Sequence, residues 1–222
     1  MNVMKSFLKR YGHAWVLSFG LLYLGWFTYL ERTVTKRYHV MHVPLDDYIP
    51  FNEYFIIPYL LWFAYVAVTV AYFFFTSKTE YYHLCTYLFC GMIISLIVCS
   101  FFRNGTNFRP DIDPDKNIFC WLVARLYQVD TCTNVFPSVH VYNSLCVHAA
   151  IRRSESLGKY RWLRLASFVL MISICLATVF LKQHSVIDGV GAAIMAYALY
   201  YAVYGSGELL GEKKKAARKA LG

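Results

Sequence analysis

Six apolar stretches dominate this chain, and each approaches the roughly 20 residues an α-helix needs to cross the hydrocarbon core of a bilayer. They cover residues 14–30, 54–75, 83–102, 137–151, 163–181 and 185–204. Composition agrees: 58% of the 222 residues are hydrophobic and only 16% are charged, against about 25% charged in an ordinary soluble domain. The sequence therefore predicts an all-α, polytopic membrane protein, a bundle of six transmembrane helices filling residues 14–205. Residues 1–13 and 206–222 form basic flanks.

The fourth stretch is the shortest and carries His140, Asn143, Ser144 and His148. Polar side chains inside a membrane face the bundle interior, and they are functional candidates by default. The first stretch follows Lys5, Lys9 and Arg10 as the core of a signal peptide would. Its far end, Phe27-Thr28-Tyr29-Leu30-Glu31-Arg32, lacks a small-x-small cleavage pattern, so it reads as an uncleaved anchor.

Charge orients the bundle. The net charge is +9, and 14 of the 22 Lys and Arg residues fall on the side shared by both termini. The positive-inside rule then places both termini in the cytosol. The basic tail, Lys213 to Lys219, is expected to meet anionic lipid headgroups. No nucleic-acid partner is expected. The seven cysteines show no metal-ligand spacing. Five lie in spans; Cys120 and Cys132 share an outside loop, where they can pair or stay as thiols.

Two outside loops are long. The first, 31–53, carries Tyr48, Ile49, Pro50 and Phe51, which suit the headgroup layer. The second, 103–136, opens with turn formers and then reads, over 119–129, as a short interfacial amphipathic helix between spans three and four. This topology brings the second loop, the start of span four and the link between spans five and six to one membrane face.

Chemistry-bearing residues gather at those three places. His184 and Asp188 stand at i and i+4 on the first turns of span six, where their side chains share a helix face. A carboxylate on one ring nitrogen fixes the tautomer and leaves the other nitrogen free to attack. A lone His/Asp pair on an apolar helix is most often structural, and the case rests on its neighbours. Phe136-Pro137-Ser138-Val139-His140 opens span four. Ser138 suits an N-cap or a phosphoryl-oxygen donor, and His140 suits a general acid. Arg109, followed by Pro110, offers a fork matching a phosphate, and Lys182 adds a compact charge two residues before His184. Arg103 is a third cation. The α-helix N-termini here are expected to favour an anion as well. Asp111, Asp113 and Asp115 lack the glycine and closing glutamate of a calcium loop and read as solvated. His148 reads as a packed polar residue.

Together these segments resemble the type 2 phosphatidic acid phosphatase superfamily, which is marked by a Lys/Arg–Pro segment, a Pro-Ser-Gly-His segment, and a Ser-Arg segment followed by His-x-x-x-Asp. Arg109-Pro110 matches the first, Pro137, Ser138 and His140 the second, and His184 with Asp188 the third. The sequence departs from the pattern at Phe102, where a lysine is expected, at Val139 in place of glycine, and at Ala177-Thr178 in place of Ser-Arg. The Phe-Pro-Ser-x-His form is similar to the branch holding inositol phosphorylceramide synthases and related bacterial membrane proteins.

That resemblance implies an integral-membrane lipid phosphate phosphatase, in a bacterial plasma membrane with its site on the extracytoplasmic face. His184 would form a phosphohistidine, Asp188 would orient it and His140 would serve the leaving group. Arg109, Lys182, Ser138 and Arg103 would hold phosphoryl oxygens, without metal or cofactor. Two other functions fit the same residues: a phosphotransferase passing the group to an alcohol such as inositol, and a non-catalytic protein that binds or moves phospholipids. Neither the particular lipid nor the oligomeric state follows from the sequence, although Gly189-Val190-Gly191-Ala192-Ala193 permits close helix packing.

Overall fold

The computed structural model describes residues 11–34 and 37–205. Most of both basic flanks, with the Lys213–Lys219 run, lies outside the described residues. Within them the chain is mostly helical, as the apolar runs require. A 3-10 segment, Gly12–Ser18, leads into α1, Phe19–Thr33. After β1, His39–Val40, and the single-turn α2, Leu45–Tyr48, come α3, Ile56–Thr76, and α4, Lys78–Phe101. Then follow β2, Asn104–Gly105, α5, Ile118–Val129, α6, Val139–Arg153, α7, Arg161–Phe180, and α8, Val186–Tyr200, which ends in a π-turn, Tyr201–Gly205.

Four helical segments are long and apolar enough to cross a membrane: Glu53–Thr76, Lys78–Phe101, Arg161–Phe180 and Val186–Gly205. The other two expected spans behave differently. Residues 14–30 are divided between the 3-10 segment and α1, whose regular helix has 15 residues. Span four is α6, also 15 residues, or roughly 22 Å at 1.5 Å per residue, short of the ~30 Å hydrocarbon thickness. It packs on α3, α4, α7 and α8, so its polar residues meet protein rather than lipid. Asn143 and Ser144 are buried. The long helices turn apolar side chains outward, among them Phe63, Val68, Leu165, Val169 and Ile194.

Helix starts follow their capping residues. Ser77 accepts the Glu80 N–H at 3.3 Å to begin α4, and Asn117 accepts the Cys120 N–H at 2.8 Å to begin α5. Inside the bundle, tyrosines bury their rings and spend their hydroxyls on helix carbonyls. Tyr87 donates to Ala196 at 2.6 Å, and Tyr142 donates to the Tyr87 carbonyl.

At one end the starts of α3, α6 and α8 meet the end of α7. The loops form a layer over that end. β1 pairs in parallel with β2, matching His39 to Asn104 and Val40 to Gly105, and Gly105 bridges to Thr133. α5 packs across the same end, where Val123 joins Ile56, Tyr59, Ala177 and Leu181 in a small core. Glu31, near the end of α1, holds Thr131 and accepts from Asn134 Nδ2 at 2.7 Å. Cys120 and Cys132 are both free thiols. Burial raises the Cys120 thiol above its ordinary range, so it is the less reactive form that persists there.

Candidate active site

The turn between α7 and α8 carries the central group. α7 ends at Phe180, and Lys182 takes a left-handed φ of 52° that reverses the chain. The N–H groups of Gln183 and His184 then share one acceptor, the Thr178 carbonyl, each at 3.0 Å. Ser185 caps α8 in a capping box with Asp188: the Asp188 Oδ2 accepts the Ser185 N–H at 2.9 Å. The same Oδ2 lies 3.4 Å from His184 Nδ1. That is ion-pair reach, although the alignment falls short of a hydrogen bond, and both His184 Nδ1 and Asp188 Oδ1 lack a hydrogen-bond partner among the described residues. Nδ1 faces the carboxylate, so Nε2 is the ring nitrogen turned away from it.

α6 delivers the second imidazole. Ser138 is fully buried, caps α6 by accepting the Val141 N–H at 3.4 Å, and donates its own N–H to the Asp188 carbonyl at 3.2 Å. This bond ties the start of α6 to the start of α8. One residue on, the His140 ring stands 5.8 Å from the His184 ring, centroid to centroid, at 61°. Tyr59 and Trp62 of α3 flank His140 at 4.6 and 4.4 Å. Residues 44 positions apart in sequence are thereby brought to one spot, with Asp188 beside them.

The cations are placed less simply. Arg109 donates through Nη1 to the Asp130 carbonyl at 2.9 Å and through Nη2 to the Thr131 carbonyl at 2.7 Å. Nη2 also donates to Gln183 Oε1. The guanidinium lies 4.6 Å over the Tyr127 ring, whose hydroxyl is pushed up to about 12 by burial while the arginine charge acts the other way. Its two terminal nitrogens are therefore committed to protein acceptors. Lys182 points at the loop before α3, donating to the carbonyls of Asp46, at 2.8 Å, and Ile49. Arg103 is exposed, and its carbonyl accepts the His39 N–H at 2.8 Å. Lys182 and Arg103 are not gathered around the two imidazoles in the way Asp188 and Ser138 are.

The N-terminus of α8 is likewise occupied. Asp46 Oδ1 accepts the Val186 N–H at 2.9 Å, and the other Asp46 oxygen accepts from the Val43 N–H at 2.9 Å and from the Ser185 hydroxyl. The anion at that helix start is a side chain of the protein itself.

Several site residues escaped the sequence reading. Asp46, Tyr59, Asp130 and Gln183 carry no local motif. Ser185 does, since Ser185-x-x-Asp188 is a capping-box pattern. Asp130 Oδ2 accepts from the Tyr59 hydroxyl at 2.6 Å. A cleft of about 480 Å³ opens beside Arg109, lined also by Tyr38, Thr106, Asn107, Tyr127 and Cys132. His148, read as packed, meets Ser167 Oγ at 3.0 Å. No protein-family model, no curated protein and no solved structure matches this chain.

Proposed function

We propose that the chain is an integral-membrane lipid-phosphate phosphatase working through a phosphohistidine on His184. The observation that carries this reading is the His140–His184 pair at 5.8 Å with Asp188 at 3.4 Å from Nδ1. Two imidazoles and an orienting carboxylate are a sufficient set for two-step phosphoryl transfer. In this reading α1 with its 3-10 lead and α6 complete a six-segment membrane domain. α5 lies in the interface, both termini are cytosolic, and the site faces outward, where a lipid headgroup arrives without leaving the bilayer surface.

In the first step the His184 Nε2 lone pair attacks phosphorus, the bond to the leaving oxygen breaks, and protonated His140 gives its proton to that oxygen. Asp188 stabilises the positive charge that grows on the His184 ring. In the second step neutral His140 takes a proton from water, the water oxygen attacks phosphorus, and the N–P bond breaks to release phosphate. Arg109 supplies positive field and order at the site.

The test is turnover by the purified protein over a panel of phosphomonoester and diphosphate lipids, with and without alcohols, together with trapping of acid-labile, alkali-stable label on the protein. Phosphate release, and label in wild type but not in His184→Ala, is the expected result. Turnover in a folded His184→Ala variant would sink the reading. Product carrying the alcohol in place of free phosphate would reassign it to phosphotransfer.

A further inference from the structure

Gln183, the residue before the proposed nucleophile, is buried, at 1% exposure. Its Oε1 accepts from Arg109 Nη2, while its Nε2 has no hydrogen-bond partner among the described residues. The amide orientation here is not ambiguous. Arginine has only donors, so the carboxamide atom facing it is the oxygen. The NH2 group is thereby pinned on the opposite side, and leaving such a donor buried and unpaired is costly.

Gln183 also belongs to a closed circuit of contacts around the two imidazoles. Arg109 holds Gln183 and the Asp130 carbonyl. Asp130 takes the Tyr59 hydroxyl, the Tyr59 ring lies 4.6 Å from the His140 ring, and His140 faces His184. His184 is the next residue after Gln183 and shares its backbone anchor at Thr178. The Gln183 amide is an open donor of this circuit; Arg109 Nε and His184 Nδ1 also lack a hydrogen-bond partner among the described residues. A side chain needed only to clamp Arg109 would serve better as a carboxylate, whose pairing with a guanidinium is charge-assisted. An amide adds a neutral donor instead.

We infer that Gln183 is a catalytic residue whose Nε2 donates to a non-bridging oxygen of the transferring phosphoryl group, and that Arg109 is the positioning residue that turns the amide that way. The inference rests on the phosphohistidine reading. It assigns to a neutral amide the oxygen contact for which the cations were expected. Arg109 and Lys182 instead spend donors on backbone carbonyls.

The experiment compares Gln183→Glu and Gln183→Met with wild type in detergent, measuring kcat, KM and inhibition by orthovanadate, with thermal unfolding as the fold control. Gln183→Glu keeps an acceptor for Arg109 and replaces the donor with an acceptor; Gln183→Met keeps length and removes both. Loss of kcat of roughly 10²-fold or more in both variants, with orthovanadate inhibition weakened in parallel and KM little changed, is expected. Wild-type kcat and orthovanadate affinity in Gln183→Glu would make Gln183 a clamp only and overturn the inference, leaving the phosphohistidine intact. Should Gln183→Glu fail to fold, wild-type kcat in Gln183→Met overturns it equally. A wild-type protein that neither turns over any lipid phosphate nor binds orthovanadate removes both readings together.

Discussion

Asp46 places its carboxylate on the first turn of α8, with Oδ1 2.9 Å from the Val186 nitrogen and its other oxygen on the Ser185 hydroxyl. Ser185 in turn donates its N–H to Asp188 Oδ2, the oxygen that faces His184. A loop residue 138 positions upstream of His184 is thus two hydrogen bonds from the carboxylate expected to orient it. Asp46 is 3% exposed, so these donors are what satisfies its buried oxygens. Asp46→Ala should cost about 1–2 kcal/mol, the range for a lost helix cap. It should lower kcat more than it raises KM, because the turn carrying His184 loosens while the lipid still binds. Asp46→Asn, which keeps an acceptor, should recover part of both. Thermal unfolding in detergent and steady-state kinetics check this; a KM effect with unchanged kcat would place Asp46 in lipid binding.

Lys182 fastens the same loop from the other side, through the carbonyls of Asp46 and Ile49. Lys182→Met keeps the aliphatic stem and removes these donors. The expected outcome is a loss of about 2 kcal/mol in stability, at about 1 kcal/mol for each hydrogen bond lost, with KM for the lipid phosphate near that of wild type. A large KM increase at unchanged stability would return Lys182 to the phosphate-holding role that its position in the sequence suggested.

These two residues show where sequence reading stops. The helical, membrane-type architecture is legible because an apolar run is a local property. His184 and Asp188 are legible as neighbours from their four-residue spacing, but not for the reason expected: His184 stands in the turn ahead of the Ser185 cap, outside α8, and the capping box rather than a shared helix face brings Asp188 Oδ2 to it. That His140 lies beside them is expected from the sequence only through a topology read from charge asymmetry; in the structure it comes from the Ser138 N–H on the Asp188 carbonyl, which ties the start of α6 to the start of α8. The destinations of Arg109, Lys182 and Asp46 are not legible. Each is decided by contacts across 21 to 140 residues of chain, and long flexible side chains choose among several acceptors. The span count is less legible: α6 is enclosed by α3, α4, α7 and α8, and by length and apolarity four helical segments carry the signature of a membrane span.

Asp188 is both a capping-box residue and the neighbour of His184 Nδ1. The two roles separate by substitution. Asp188→Asn keeps an oxygen for the Ser185 N–H, so the cap and fold should survive. It presents no full negative charge to the ring, so kcat should fall by up to roughly 10⁴-fold, the loss seen when the orienting carboxylate of a catalytic triad is made an amide. A variant that unfolds would show that capping is its main role. A folded variant with wild-type kcat would remove Asp188 from the mechanism.

Packing between α4 and α6 sets how firmly His140 is held. A Cβ added at Gly91 would lie 2.0 Å from Tyr142 Cζ. Tyr142 is fully buried, with its hydroxyl on the Tyr87 carbonyl, so the ring has no free space to enter. Gly91→Ala should therefore destabilise by about 1–3 kcal/mol, the usual cost of overpacking. It should also lower activity at temperatures where the protein remains folded, because α6 carries His140 on its first turn. Gly25→Ala is the control: nothing lies within 4 Å of its added Cβ, and α1 gains helix propensity of about 0.8–1 kcal/mol. Thermal unfolding should move in opposite directions in the two variants. Equal and small shifts would show that α4 and α6 are not in the close contact on which the placement of His140 depends.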